Sequence, residues 1–233
     1  MKLLIRKTHK YLSFFISIQL LLWTISGIYF SFNKIELVRG EQYLKIVEKP
    51  INLGVLNFNT PYSEKVSIIN RLGKEIVIVS SRESKKYLDK NGNPLDKLSS
   101  LEAVESVKSQ TTLLPFQAIE ITDNKSGSEF RGRSLPIYKV ESRNIENDDI
   151  NVYVNIYSGE IMAIRSPQWR IWDLMWGFHI MDWNERDNIN NLLLKIFSIL
   201  ALVSSVTGLI LFFKLKSSSA AERSVLKSIN IGS

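Results

Sequence analysis

Two long apolar runs bracket this chain and constrain its fold more than any other feature. Residues 11–32 contain no charged side chain, and residues 192–213 contain only Lys195. Each run has 22 residues, and a helix of that length rises about 33 Å, enough to cross a hydrocarbon core of about 30 Å. The sequence therefore predicts two transmembrane helices, with Lys195 in the first turn of the second, where its amine reaches the headgroups.

The net charge of +7 is concentrated outside these runs. Residues 1–10 carry four basic side chains and no acidic one, and residues 214–233 carry a net charge of +3, so the remainder is neutral. A nucleic-acid-binding domain is basic on its folded part, and we therefore expect no nucleic-acid partner. Basic ends beside apolar runs predict instead that both tails are cytoplasmic.

The segment between the runs is then expected on the far side of the membrane. No A-x-A cleavage site follows the first run, which is therefore predicted to be an uncleaved signal anchor. In a bacterium this orientation makes the chain an inner-membrane protein with a periplasmic domain. The absence of cysteine excludes disulfides, thiolate metal sites and iron–sulfur clusters, and two histidines are too few for a His-rich metal cage.

The central segment has the pattern of a small α+β domain. Residues 66–70 and 75–79 are β-branched runs around Leu72-Gly73-Lys74, which predicts a hairpin. Ser99 and Glu102 form a capping box that opens a helix. The remaining strand candidates are residues 86–89, 118–122, 136–141, 151–155 and 161–164.

Several of these motifs, in this order along the chain, resemble the PepSY domain and PepSY-associated transmembrane proteins. The motifs that resemble the domain are residues 135–140, 152–155 and 158–161. The motifs that resemble the membrane helices are residues 19–27 and 207–211, and residues 176–183 resemble the stretch before the second helix. The family has an α-β-β-β unit that ends in a D-x-x-T-G-E-like turn, where this chain has Asn155 and Ser158. The resemblance implies an antiparallel sheet with one packed helix.

The predicted fold is thus α+β, with two transmembrane helices flanking a periplasmic PepSY-like domain. Residues 40–95 are a candidate for a second, divergent PepSY-like unit. The predicted divisions are a basic tail (1–10), the first membrane helix (11–32), a β-rich region (33–98), the PepSY-like domain (99–165), a Trp-rich helix and linker (166–190), the second membrane helix (192–213) and a flexible basic tail (214–233).

The stretch from Ser166 to Trp183 holds four of the five tryptophans. Ser166-Pro167 is a helix start, and the tryptophans, with His179, fall at helical spacing on one stripe. One interpretation is an interfacial helix whose tryptophans anchor it among the headgroups. The alternative is that the stripe lines a site for haem, a quinone or a partner helix. The tryptophans concerned are Trp169, Trp172, Trp176 and Trp183.

The two histidines are the candidate cofactor ligands. Larger PepSY-associated proteins include ferric-siderophore reductases whose membrane histidines ligate haem, and this resemblance makes haem the candidate cofactor at His179 and His9. The two residues are expected at opposite membrane faces, about 33 Å apart along one helix. They cannot ligate one haem within one chain, so a partner chain would have to supply a second ligand. His9 is alternatively a headgroup contact.

Small and polar residues in the apolar runs indicate helix packing, because small side chains let helices approach closely. Gln19 and Trp23 lie at mid-membrane in the predicted span, where a polar group needs a partner. That partner is either the second helix or a different subunit. The predicted packing residues are Gln19, Trp23, Ser26, Gly27, Ser204, Thr207 and Gly208.

No hydrolase, zinc-protease or phosphate-loop motif is present. The expected function is therefore a non-catalytic binding, regulatory or accessory subunit, with another membrane protein or a second copy as partner. One alternative is a haem-binding electron-transfer or ferric-siderophore-reduction accessory subunit. Another is a modulator of a secreted peptidase.

Overall fold

The computed structural model describes residues 2–46, 51, 65–82 and 84–229, with side chains described within this part of the chain from Leu3 to Phe213. It is an α+β structure with two separate units: one contains residues 1–31 and 174–233, and the other contains residues 32–173. We call them the helix unit and the α+β unit.

The helix unit contains two helices long and apolar enough to cross a membrane. They are α1 (Lys2–Phe32) and α5 (Leu192–Ile229). Their apolar spans are Leu3–Phe32 and Leu192–Phe213. Both helices run further than predicted, since α1 already begins at Lys2 and α5 continues through the expected flexible tail. Neither extension contains glycine or proline, and Lys, Leu, Arg, Ala and Glu all favour helix.

The α+β unit begins with α2 (Ile35–Val38), a short 3₁₀ turn (Glu41–Tyr43) and an antiparallel three-stranded sheet. The sheet contains β1 (Lys65–Arg71), β2 (Lys74–Ser80) and β3 (Lys85–Leu88) in that order. Leu72 and Gly73 form the hairpin turn with φ of 49° and 85°, the left-handed geometry of a two-residue turn. The predicted hairpin is confirmed.

The second sheet is an antiparallel meander that carries the main core. It follows α3 (Ser100–Gln110) and contains β4 (Leu114–Ile121), β5 (Ile137–Arg143), β6 (Asp149–Asn155) and β7 (Ile161–Arg165). The capping box at Ser99 and Glu102 is present and opens α3. Buried apolar side chains of α3 and the strands share one cluster: Ala103, Val107, Val140, Val152, Val154 and Ile164.

The turn between β6 and β7 contains Asn155 at the position where the PepSY pattern has aspartate. The Asn155 Oδ1 accepts hydrogen bonds from the backbone N–H groups of Tyr157 and Ser158, both at 2.9 Å, as an aspartate would. Its amide also donates to the Tyr87 hydroxyl at 3.0 Å, which ties the turn to the first sheet. Gly159 packs so closely on α3 that a Cβ would lie 2.8 Å from the Ser106 Oγ.

In residues 100–165 one helix is followed by four antiparallel strands, one strand more than the α-β-β-β unit that the resemblance implied. The first sheet, by contrast, has three strands and no helix within residues 65–98 that resembles α3. Residues 47–50 and 52–64, where part of a second PepSY-like unit was predicted, lie outside the described residues. That unit therefore stays a prediction.

Candidate functional site

The Trp-rich segment folds as α4 (Pro167–Ile180). Pro167 occupies its first position, and the Ser166 Oγ accepts from the Trp169 N–H at 3.2 Å, as predicted for the helix start. Met181 has φ of 55°, and the Asp182 N–H donates to the Gly177 carbonyl at 3.0 Å, which is how a left-handed C-terminal cap closes a helix. Trp183 therefore lies beyond the helix, and the prediction of one stripe through all four tryptophans is wrong.

Side chains of α1 and of Asn191, which directly precedes α5, bind the last carbonyls of α4. The Gln19 Nε2 donates to the Phe178 carbonyl at 3.2 Å, and the Trp23 Nε1 donates to the His179 carbonyl at 2.6 Å. The Asn191 Nδ2 donates to the Ile180 carbonyl at 2.9 Å. The last carbonyls of a helix have no partner within it, and here Gln19, Trp23 and Asn191 each donate to one of them.

His179 is fixed by a hydrogen bond and two rings. Its Nδ1 lies 2.7 Å from the Ser26 Oγ. The Ser26 hydroxyl donates its single proton to the Trp23 carbonyl at 3.0 Å. The imidazole N–H of His179 is therefore the donor in the hydrogen bond to the Ser26 Oγ. The ring lies near Trp176 and meets Phe30 edge-on. Burial lowers the pKa of His179, which favours the neutral imidazole.

His9 joins α1 to α5. Its Nδ1 lies 3.1 Å from both the Ser204 carbonyl and the Thr207 Oγ1. Ser13 extends this seam with a 2.7 Å hydrogen bond to the Ser204 Oγ. Gly208 makes room for the imidazole, because a Cβ there would lie 3.0 Å from the His9 Cε1. At Gly27, by contrast, a Cβ would meet no described atom within 4 Å.

The two histidines are far apart along the helix unit. His179 contacts Ser26, so the separation along α1 is that between residues 9 and 26, about 25 Å at the helical rise. The expected separation was larger because α4 was not predicted to run back along α1. The distance still prevents both imidazoles from ligating one haem. Among the described residues no cluster of three or more His, Asp or Glu could hold a metal.

The four tryptophans do not share one surrounding. Trp169 is only 8% exposed, and it lies in the α+β unit against two guanidinium groups, at 4.2 Å for Arg165 and 5.6 Å for Arg131. A side chain buried in this way cannot anchor the chain in lipid. Trp172 lines a cavity of the same unit, Trp176 stacks in the helix unit, and Trp183 is 54% exposed.

The cations beside Trp169 belong to a cluster of charged residues in the α+β unit. Arg131 forms an ion pair with Asp173, which is buried. The Arg165 Nε donates to the Glu129 carbonyl at 2.9 Å, and its Nη1 donates to the Ile164 carbonyl at 3.2 Å. Burial, and then the charges of neighbouring cations led by Arg133, lower the pKa of Arg165 to about 10.

Glu129 is the centre of a second set of bonds. One carboxylate oxygen accepts from the Arg170 Nε at 2.7 Å, and the other accepts from Asn151 at 2.7 Å and from the Tyr153 hydroxyl at 3.1 Å. Burial alone would raise the pKa of Glu129, but the hydrogen bonds from Arg170, Asn151 and Tyr153 and the charge of Arg170 outweigh burial, so the pKa of Glu129 is lowered. Burial and the charge of Glu129 raise the pKa of Tyr153.

A cavity of about 350 Å³ lies next to this cluster, within the α+β unit. Arg39, Arg133 and Arg165 line it, with Glu41 as the one carboxylate among the described lining residues. Sequence reasoning missed every one of these residues. The run Glu129-Phe130-Arg131-Gly132-Arg133 was the sequence feature that could have indicated a charged site. The sequence does not indicate that the ends of β7 and α2 lie beside this loop, because the three segments are brought together only by folding.

Comparison with protein-family models gives no match, and comparisons with curated proteins and with solved structures give no significant match. The likeness to PepSY-associated proteins therefore rests on the residue pattern alone.

Proposed function

We propose that this chain is a membrane-anchored binding protein without catalytic chemistry of its own. The helix unit is the anchor, and the α+β unit is a periplasmic domain that binds or regulates a partner. The observation that supports this proposal is that polar side chains of the helix unit form hydrogen bonds that join its helices. Gln19, Trp23, Ser26, His179 and His9 all hold the helices of that unit together.

The pairing of the helices supports a definite depth in the bilayer. Phe15 stacks on Phe197 at 5.8 Å, and Ser13 bonds Ser204, so the span Leu192–Phe213 runs beside the first two thirds of α1. The loop before α5 contains Asp182, Glu185, Arg186 and Asp187, and charged groups are costly in hydrocarbon. The outer membrane boundary then lies near Gln19 and Trp23.

This placement revises the predicted span of the first helix. Residues 3–22 would cross the bilayer, with Arg6, Lys7 and Lys10 extending toward the inner headgroups. Residues 24–32 would stand outside it beside α4. Trp23 then lies in the interface, where tryptophan is common, and α4 packs against α1 instead of lying flat on the membrane.

The haem-binding accessory subunit is the competing function. A reduced-minus-oxidised absorption spectrum of the detergent-purified protein, together with mass spectrometry of everything that co-purifies, separates the two. We expect no haem band and a stoichiometric membrane partner. A haem band that disappears in His179→Ala and persists in the matched variant His9→Ala would overturn the proposal and assign His179 as a ligand. Purification as a stable monomer without any partner would also count against the binding role.

A further inference from the structure

The arginines of the α+β unit divide into paired and unpaired groups. Arg131 is paired with Asp173, and Arg170 is paired with Glu129. Arg39 and Arg133 are exposed and form no ion pair with any described carboxylate, and both line the cavity together with Arg165. The lining therefore carries three positive charges against Glu41. A concave site lined mainly by one sign of charge concentrates ions of the opposite sign.

Arg165 is the preorganised member of this set. Its Nε and Nη1 are held by two backbone carbonyls, and its guanidinium lies against the Trp169 ring. The side chain therefore loses little rotamer freedom when an anion binds. Its charge is also repelled by Arg133, and a bound anion would relieve that repulsion.

The rest of the cavity wall is apolar. Ile35, Val38 and Leu44 line one part of it, and Ile161 and Met162 line another. The volume of about 350 Å³ is at the lower end of the range of about 300–1,000 Å³ for small-molecule sites. It suits a small anionic group that carries an apolar portion.

We propose that this cavity binds the phosphate group of an amphiphilic phosphate ester. Guanidinium groups bind phosphate oxygens through paired N–H donors, and the Ile35–Val38–Leu44 wall takes the apolar part. The ester is either the headgroup region of an anionic lipid or a soluble phosphomonoester, since both present negatively charged phosphate oxygens next to an apolar chain. This inference rests on the proposed binding function, for which it names the ligand class.

The test uses the full-length protein in detergent and two probes, dihexanoyl phosphatidylglycerol and hexyl phosphate, with binding followed by tryptophan fluorescence and calorimetry. The variant Arg39→Gln/Arg133→Gln removes two cavity charges from exposed, unpaired positions. The matched control Lys90→Gln/Lys125→Gln removes two exposed charges that do not line the cavity.

We expect the cavity variant to bind on the order of tenfold more weakly or worse, a loss of about 1.4 kcal/mol or more, and the control to bind like the natural chain. If only the lipid probe shows this pattern, the source is a headgroup, and if only hexyl phosphate does, the source is a soluble ester. Absence of binding to both probes, or equal weakening in the control, would overturn the proposal. Such a failure leaves the anchor and partner role intact, because the spectrum and co-purification test that role separately.

Discussion

At the scale of single residues, Glu129 shows how a half-buried charge is stabilised. Its carboxylate accepts three side-chain hydrogen bonds, from Arg170, Asn151 and Tyr153. Removing one partner of such a group leaves the others unsatisfied, and hydrogen bonds to charged groups contribute about 1.5–3 kcal/mol each. The stability of the α+β unit should therefore depend on the charge of this one side chain.

The first prediction concerns Glu129→Gln. Because the pKa of Glu129 is lower in the folded chain than its ordinary 4.5, its carboxylate stabilises the fold fully above that value. That stabilisation is lost as the pH falls through the lower folded pKa. We expect Glu129→Gln to lower the free energy of unfolding by about 1.5–3 kcal/mol at pH 7 and to flatten its pH dependence below 4.5.

The measurement is thermal unfolding by circular dichroism between pH 7 and pH 3. Glu120→Gln is the control, because Glu120 forms an exposed pair with Lys97, and such pairs contribute about 0–1 kcal/mol. Parallel pH profiles for Glu129→Gln and the natural chain would show that the Glu129 bonds do not stabilise the fold.

Local residue patterns could be predicted from the sequence, but the charged cluster could not. The capping box at Ser99 and Glu102 lies within four consecutive residues and can be recognised from them alone. The partners of Glu129 are 22 to 41 residues away, and nothing in their spacing indicates that β6 and α4 bring them together. His9 and His179 were selected for their chemistry, but their hydrogen-bond partners depend on helix register.

At the scale of elements, the strands could be predicted from the sequence and the end of α4 could not. The strands of the second sheet were predicted within a few residues, because alternation and turn residues are local signals, whereas the C-terminus of α4 depends on α1. The end of α4 was not, since Met181 adopts a left-handed backbone that a non-glycine residue seldom adopts. The predicted partner of Gln19 and Trp23, the second membrane helix or a different subunit, is wrong, because their acceptors are the Phe178 and His179 carbonyls of α4.

The second prediction concerns Gln19→Leu. This change leaves the Phe178 carbonyl without its side-chain donor, and an unsatisfied buried polar group costs about 1–3 kcal/mol. We expect a lower unfolding temperature in detergent and faster proteolysis of the loop after α4. Thr24→Val is the control, because the exposed Thr24 hydroxyl bonds only within its own helix. Equal behaviour of the two variants would mean that Gln19 does not stabilise the end of α4.

At the scale of the whole molecule, the depth of α1 in the bilayer is open to a paired test. Ile18 is 73% exposed and Ile28 is 54% exposed on the described surface, and the chain contains no cysteine. We expect a water-soluble maleimide to label Ile28→Cys, and not Ile18→Cys, in membranes opened by freeze–thaw. Label at Ile18 alone, or at neither position, would contradict a boundary near Gln19 and Trp23.

The orientation of the chain is the central claim, because the binding role needs the α+β unit outside the cytoplasm. The most direct measurement is labelling of intact spheroplasts with a membrane-impermeant maleimide. Lys125→Cys reports on an exposed loop of the α+β unit, and Lys2→Cys reports on the start of α1. We expect label at Lys125→Cys in intact spheroplasts and at Lys2→Cys only after permeabilisation. The reverse pattern would place the α+β unit in the cytoplasm and contradict the proposed function.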